Sequence, residues 1–250
     1  MISTRSEQSE RSNQAPGSRA AVLRRKEGTR FSSGSDDEVG GYAARSARSE
    51  QSERSNQAPR STMVQVVGTA GGVGTTTVAA LVFAALSQDV AGAPQLHDHA
   101  AGELGLRLPE GDDVRLVNPG LGVHDCGAHA AAAVERLADP HTVLVLVTAA
   151  TPAGCAAAER VLDEVISRHS AAQLRRVLVV AVGVFGRHRI STQLRALGER
   201  VGTRSVILLS QDLSLAAGGR IPLVRLTTHT VRAQRQLASV LRERLRSRSS

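Results

Sequence analysis

The chain has 250 residues, 41% of them hydrophobic but only 2% aromatic, with a formal net charge of +8; that length fits one large domain or a domain plus a tail, and a core without aromatics must be built from Val, Leu, Ile and Ala, as in a parallel sheet covered by helices. No apolar run reaches the roughly 18 residues of a membrane-spanning helix, the N-terminus lacks the order of a signal peptide, and Cys126 and Cys155 are too few for a disulfide framework, so a cytoplasmic protein is expected. Lys26 is the only lysine among many arginines; this balance permits contact with DNA or an anionic membrane surface, but without interleaved aromatics it does not make a base-stacking surface.

Residues 1–62 are rich in Ser, Arg, Gln, Glu and Gly and bury too little apolar surface to offset ordering entropy, so a disordered tail is expected. The segment "RSEQSERSNQAP" occurs at 5–16 and again at 48–59, a duplication and not a repeat fold. Met63 opens the first strand-like run, which leaves Met1 and Met63 both open as the native start, with 63–250 expected as the folded domain.

From Met63 onward strand and helix signals alternate. "MVQVVG" reads as a strand and "TTTVAALVFAALSQ" as the helix after it. "PQLHDH" reads as a short strand followed by a loop-rich stretch, 100–113. "VRLVN" and "LGVHDCG" read as two strand pieces around a Pro119–Gly120 turn. "HTVLVLVT" is the clearest buried strand, and "CAAAERVLDEVISRH", introduced by "TPAG", the clearest amphipathic helix. "RRVLVVAVGV" is a further buried strand, "ISTQLRALGERV" a short helix, "RSVILLS" a strand and "HTVRAQRQLASVLRERL" a terminal helix. Strands alternating with helices favour right-handed crossovers, hence an α/β doubly wound, mostly parallel sheet that binds ligands beyond the carboxyl ends of its strands.

One loop lies at such a strand end. Residues 68–77, "GTAGGVGTTT", join the first strand to the first helix, and a glycine loop there offers backbone N–H groups and a helix N-terminus to a phosphate. The loop contains no lysine. Glycines in a tight turn and glycines in a phosphate cradle read alike at this point.

From Thr69 to Thr77 the loop resembles the "GKGGxGKTT" segment of the ParA/MinD family of deviant P-loop ATPases, which position chromosomes, plasmids, division sites or pili. Gly71, Gly72, Gly74, Thr76 and Thr77 match; Thr69, Ala70 and Thr75 replace the first glycine, the signature lysine and the phosphate-binding lysine. "GVHDCGAH" is similar to the family's strand-end segment, with Asp125 in the place of the aspartate that holds the magnesium water shell. Asp98 resembles the acid of a strand-end "D-x-D". "VLVLVTAATPAGCAAAERVL" is similar to a further strand and helix, and "LLSQDLSLAAGGRIPL" to the segment that leads toward the adenine pocket, placing Asp212 there.

The resemblance implies a P-loop NTPase fold of the SIMIBI kind. It implies that Gly71, Gly72, Val73, Gly74, Thr75, Thr76, Thr77 and Asp212 bind ATP, that Thr76 coordinates Mg2+, and that Asp125 has a catalytic role in holding the metal's water shell. Thr75 offers one neutral hydrogen bond where the family lysine makes a charge-assisted one, a loss of about 1.5–3 kcal/mol. The strand-end "VGVFG" lacks the asparagine that recognises adenine in relatives. Arg187 and Arg189 follow that strand; a solvated loop before a helix is the expected reading for them, with replacement cations as the alternative.

A degenerate ParA/MinD-like protein of the CpaE/TadZ or septum-site kind is therefore expected, a scaffold in cellular positioning with weak or no hydrolysis. The expected partners are proteins, with a homodimer and non-specific contact with DNA or a membrane surface as further options. An active but weak ATPase and a basic, non-specific nucleic-acid-binding protein are the alternatives. His97, His99, His124, Cys126 and His129 have zinc-type side chains in a spacing that matches no zinc motif. No G-x-S-x-G elbow supports hydrolase chemistry. The terminal helix, with Val231, Leu237, Leu241 and Leu245 near helical spacing, is expected to pack on the sheet, against the alternative of a membrane-surface helix.

Overall fold

The computed structural model describes residues 61–88, 92–100, 103–109, 116–183 and 190–247. The expected disordered tail, apart from its last two residues, and the candidate cations Arg187 and Arg189 lie outside the described residues.

The strands are β1 (Thr62–Gly68), β2 (Ala93–Asp98), β3 (Val117–Asp125), β4 (Thr142–Ala149), β5 (Val177–Val182) and β6 (Val206–Leu209). Between them run α1 (Thr75–Leu86), α2 (Leu104–Arg107), α3 (Ala130–Glu135), α4 (Pro152–Arg168) and α5 (Ser191–Val201), with α6 (Leu213–Ala216) and α7 (Thr228–Arg246) after β6. The strands form one sheet in the order β2-β3-β1-β4-β5-β6, and every pairing is parallel. The α/β doubly wound architecture read from the sequence is the one present.

Both faces of the central strands are covered, which is why β4 is apolar at nearly every position and fully buried through Val143–Val147. Val64, Val66, Val123, Val145 and Val180 pack beneath α1 and α7; Val67, Leu144, Leu146 and Val179 pack beneath α3, α4 and α5. α1 has no polar face because it lies between the sheet and α7, with every residue from Val78 to Leu86 buried. α4 starts where the sequence signals it: Thr151 Oγ1 accepts from Gly154 N at 3.0 Å, with Pro152 in the first turn.

The terminal helix packs on the sheet. Leu237 and Leu241 are buried in the core beside α1, Leu245 is partly buried against it, and Val231 stays half-exposed. Arg242 donates to the carbonyl of Ala85, so even basic positions of α7 are tied to the body. Among the described residues no helix is long and apolar enough to cross a membrane.

Two local readings change. The expected Pro119–Gly120 turn is a bulge inside one strand: β3 runs unbroken from Val117 to Asp125, and its register against β2 jumps from Pro94↔Asn118 to Gln95↔Gly122. Pro119 has no N–H to give the ladder, so the residues around it are looped out of the pairing while the chain stays extended. The loop-rich stretch after β2 contains α2, whose first amide, Leu104 N, donates to Asp98 Oδ2 at 3.1 Å. The Asp98 carboxylate that ends β2 thereby anchors the start of α2.

Candidate functional site

The loop leaves β1 at the centre of the sheet, where successive strands are laid down first on one side of β1 and then on the other. An open α/β sheet leaves a crevice at that switch point. Neighbouring strand ends hold the loop's base: Gly68 N donates to Gly127 O at 2.7 Å and Thr69 N to Val147 O at 2.9 Å. Thr69 Oγ1 lies 3.1 Å from Thr148 Oγ1, and Thr148 donates to Gly154 O at 2.6 Å. Thr69 thus cross-links the loop to β4 and the start of α4.

Gly72 and Gly74 have φ of 74° and 87°, the left-handed region that favours glycine, and they turn the chain into α1. Gly74 caps that helix with no side-chain hydrogen bond, so the first-turn amides are not closed off by a side chain. A Cβ built on Gly71 or Gly72 meets nothing within 4 Å, so the space before the loop is open.

That space belongs to a cavity of about 530 Å³ lined by Gly71, Gly72, Val73, Gly74 and Thr77 on the loop side, and elsewhere by Val182, Gly183 and the segment from Leu209 to Asp212. The fold therefore brings together Gly71, Gly72, Val73, Gly74, Thr77 and Asp212 from the expected set. Thr75, Thr76 and Asp125 are not among the lining residues. The Thr75 side chain is buried under the loop: a Cβ on Gly68 would sit 2.4 Å from its hydroxyl oxygen, so the threonine occupies space that only glycine at 68 leaves free.

Asp212 has a structural task as well as its place on the wall. Its Oδ1 accepts from Ser214 N at 3.0 Å and caps α6; its Oδ2 accepts from Thr227 N at 2.9 Å and from Thr230 Oγ1 at 2.7 Å, at the start of α7. Burial by itself would raise the carboxyl's pKa, but these bonds from Thr227, Thr230 and Ser214 outweigh it and hold the group below its ordinary value. Gln211 was not singled out from the sequence, yet it lines the cavity and carries an amide. Gly183 permits that placement, since a Cβ there would lie 2.8 Å from Gln211 N.

Asp125 ends β3 beside Val66 of β1 and is fully buried. Its Oδ1 accepts from Gly127 N at 3.0 Å, while Oδ2 is buried with no partner among the described residues. An orphaned carboxylate oxygen at a strand end, a threonine in the first turn of α1 and an uncapped glycine loop are donors and acceptors that fit a magnesium–phosphate group. Electrostatically the loop is weaker than its shape, because it carries no cationic side chain.

The zinc reading fails. His97, His99 and His124 do meet, but as a stack: the rings of His97 and His124 lie 4.2 Å apart at 16°, and those of His99 and His124 5.2 Å apart at 9°. His99 Nε2 and His124 Nδ1 are engaged with each other at 2.9 Å, and among the described residues no group of three or more His, Cys, Asp or Glu side chains could hold a metal. Cys126 is buried with Sγ 3.8 Å from Arg136 Nη1, and burial raises its pKa, keeping it a thiol.

No protein-family model matches the chain, and no curated protein matches it. Among solved structures it is similar to the crystal structure of a ParA family ATPase from Chlorobium tepidum TLS, with a TM-score of 0.52 and 16% sequence identity, over 71% of this chain and 98% of that one. The fold is ParA-like. At that identity the likeness speaks for the backbone and leaves the site to its own residues.

Proposed function

We propose that the chain is a ParA-like P-loop protein that holds a nucleotide weakly, hydrolyses it slowly or not at all, and serves as a scaffold in cellular positioning, such as partitioning or septum or pilus placement, through protein contacts that include a second copy of itself. One observation carries the reading: a loop with the shape of a phosphate cradle opens on a cavity of nucleotide size, while the side chain in the lysine's place is folded beneath the loop.

The glycine loop and the N-terminus of α1 would bind and orient the phosphates through backbone N–H groups. Thr76 and Asp125 would hold Mg2+ and its water shell, which supplies charge neutralisation when bound. Gln211 and the apolar wall of Val182, Leu209, Leu215 and Ala216 would receive the base. Hydrolysis asks more of the site than binding does, because negative charge spreads over the transferred oxygens, and neither Thr75 nor Ala70 places a cation there.

Calorimetric titration of the full chain with ATP and Mg2+, followed by measurement of phosphate release, tests this. Weak, saturable binding with slow or no release is expected. Tight binding with steady turnover would overturn the scaffold reading in favour of an ATPase.

A further inference from the structure

Arg107, the last residue of α2, is 8% exposed and reaches the first turn of α1. Its Nη1 donates to Gly219 O at 2.9 Å, and its Nη2 donates to Leu215 O at 2.7 Å and to Thr77 Oγ1 at 2.8 Å. All three acceptors are neutral. Among the described residues no carboxylate bonds to this guanidinium; Glu103, four residues back, acts on it only through space. Burial opposes the charge and lowers the pKa, but arginine remains protonated through any ordinary pH. A buried cation with neutral partners only is costly unless an anion approaches it.

Thr77 is the link to the cavity. It lines the open space in front of the glycine loop, while its hydroxyl oxygen accepts from Arg107. That leaves the hydroxyl proton, which is donated to no described residue, available to a group in the cavity. A hydroxyl that accepts from a cation is polarised into a stronger donor.

We infer that Arg107 is the cation of this anion site: it acts through the Thr77 hydroxyl, as a positioning residue, on the phosphate that rests against the first turn of α1. The inference depends on the reading above that the cavity takes a nucleotide. Positive charge reaches the ligand through Thr77 and not from a cationic side chain of the loop. The same guanidinium holds the carbonyl of Leu215, a cavity-wall residue, so one side chain ties the phosphate side of the site to its apolar wall.

The test compares ATP, ADP and inorganic pyrophosphate binding by the full-length protein, by Arg107→Gln and by Arg107→Lys, each over a range of salt concentrations. Arg107→Gln is expected to weaken all three ligands by about tenfold and to flatten the salt dependence, because a charge has left the site. Arg107→Lys should keep the salt dependence and recover part of the affinity; with a purely structural role, Arg107→Gln would leave the salt dependence unmoved. Should Arg107→Gln not fold, a cycle of Arg107→Lys with Thr77→Val decides. Loss of most of the Arg107→Lys effect in the Thr77→Val background supports the relay, and full additivity overturns it. Wild-type protein that binds none of the three ligands removes the nucleotide reading and this inference together. Wild-type binding that both Arg107 variants share, in affinity and salt dependence, overturns the role of Arg107 alone.

Discussion

Replacing Asp212 by Ala removes one carboxylate from the junction between the cavity wall and the last helix. Asp212 is 5% exposed and Thr230 is fully buried, so water does not readily reach the Thr230 hydroxyl, whereas Ser214 and Thr227 are more open to it. Three donors lose their acceptor: Ser214 N, Thr227 N and Thr230 Oγ1, at 3.0, 2.9 and 2.7 Å from the carboxylate oxygens. A hydrogen bond to a charged group contributes about 1.5–3 kcal/mol, but bonds that share one acceptor group are not additive, and a destabilisation of about 3 kcal/mol is expected. Urea unfolding of the full chain and of Asp212→Ala at neutral pH measures it. A loss below about 1 kcal/mol would refute the reasoning, since that is the scale of one helix cap alone. The pH dependence gives a second check with a definite sign. The folded carboxyl titrates below its ordinary value, so its stabilisation is complete above the unfolded carboxyl's pKa and is lost as pH falls through the folded one. Asp212→Ala should therefore lose less stability on acidification than the wild type.

Thr75→Lys returns a cation to the loop, and ATP affinity measured by calorimetry should rise by about tenfold or more; no change would mean that the missing charge is not what limits binding. Leu237→Ala in α7, at 3% exposure, should cost about 2–5 kcal/mol in thermal or urea unfolding, as a core truncation does. Liposome sedimentation should be the same for that variant and the wild type. His124 is pushed down to about 4 by burial first and then by His97, His99 and Arg136. The unfolded chain thus takes up a proton that the folded one refuses, and stability should decline as pH falls from about 6.5 toward about 4. NMR titration of the imidazoles checks this, and a His124 midpoint near 6.5 would contradict the stacked arrangement.

The strongly patterned elements were legible without a structure. β4, β5 and α4 follow from buried β-branched runs and from a Thr-Pro helix start, signals that are local and therefore readable residue by residue. The loop from Gly68 to Thr77 was likewise legible as a strand-to-helix turn with the spacing of a phosphate cradle. α3 was not singled out, because its run of alanines carries no apolar period to set one face apart from the other. The Pro119–Gly120 dipeptide has the chemistry of a turn and of a bulge alike, and only the partner strand decides which.

By itself the sequence determined the parallel α/β layout, the place of the loop and the absence of lysine from the domain. The tertiary structure decided what each remaining group does. It buried Thr75 under the loop, left one oxygen of Asp125 without a partner, engaged Asp212 in the start of α7, stacked three histidines and set Arg107 against Thr77. Those outcomes depend on contacts between segments far apart in the chain: Arg107 meets Thr77 and Leu215 only because α1, α2 and α6 converge at one end of the sheet. Local pattern reports which residues can be buried, whereas the charge and hydrogen bonding of a site are set by what the fold packs against them.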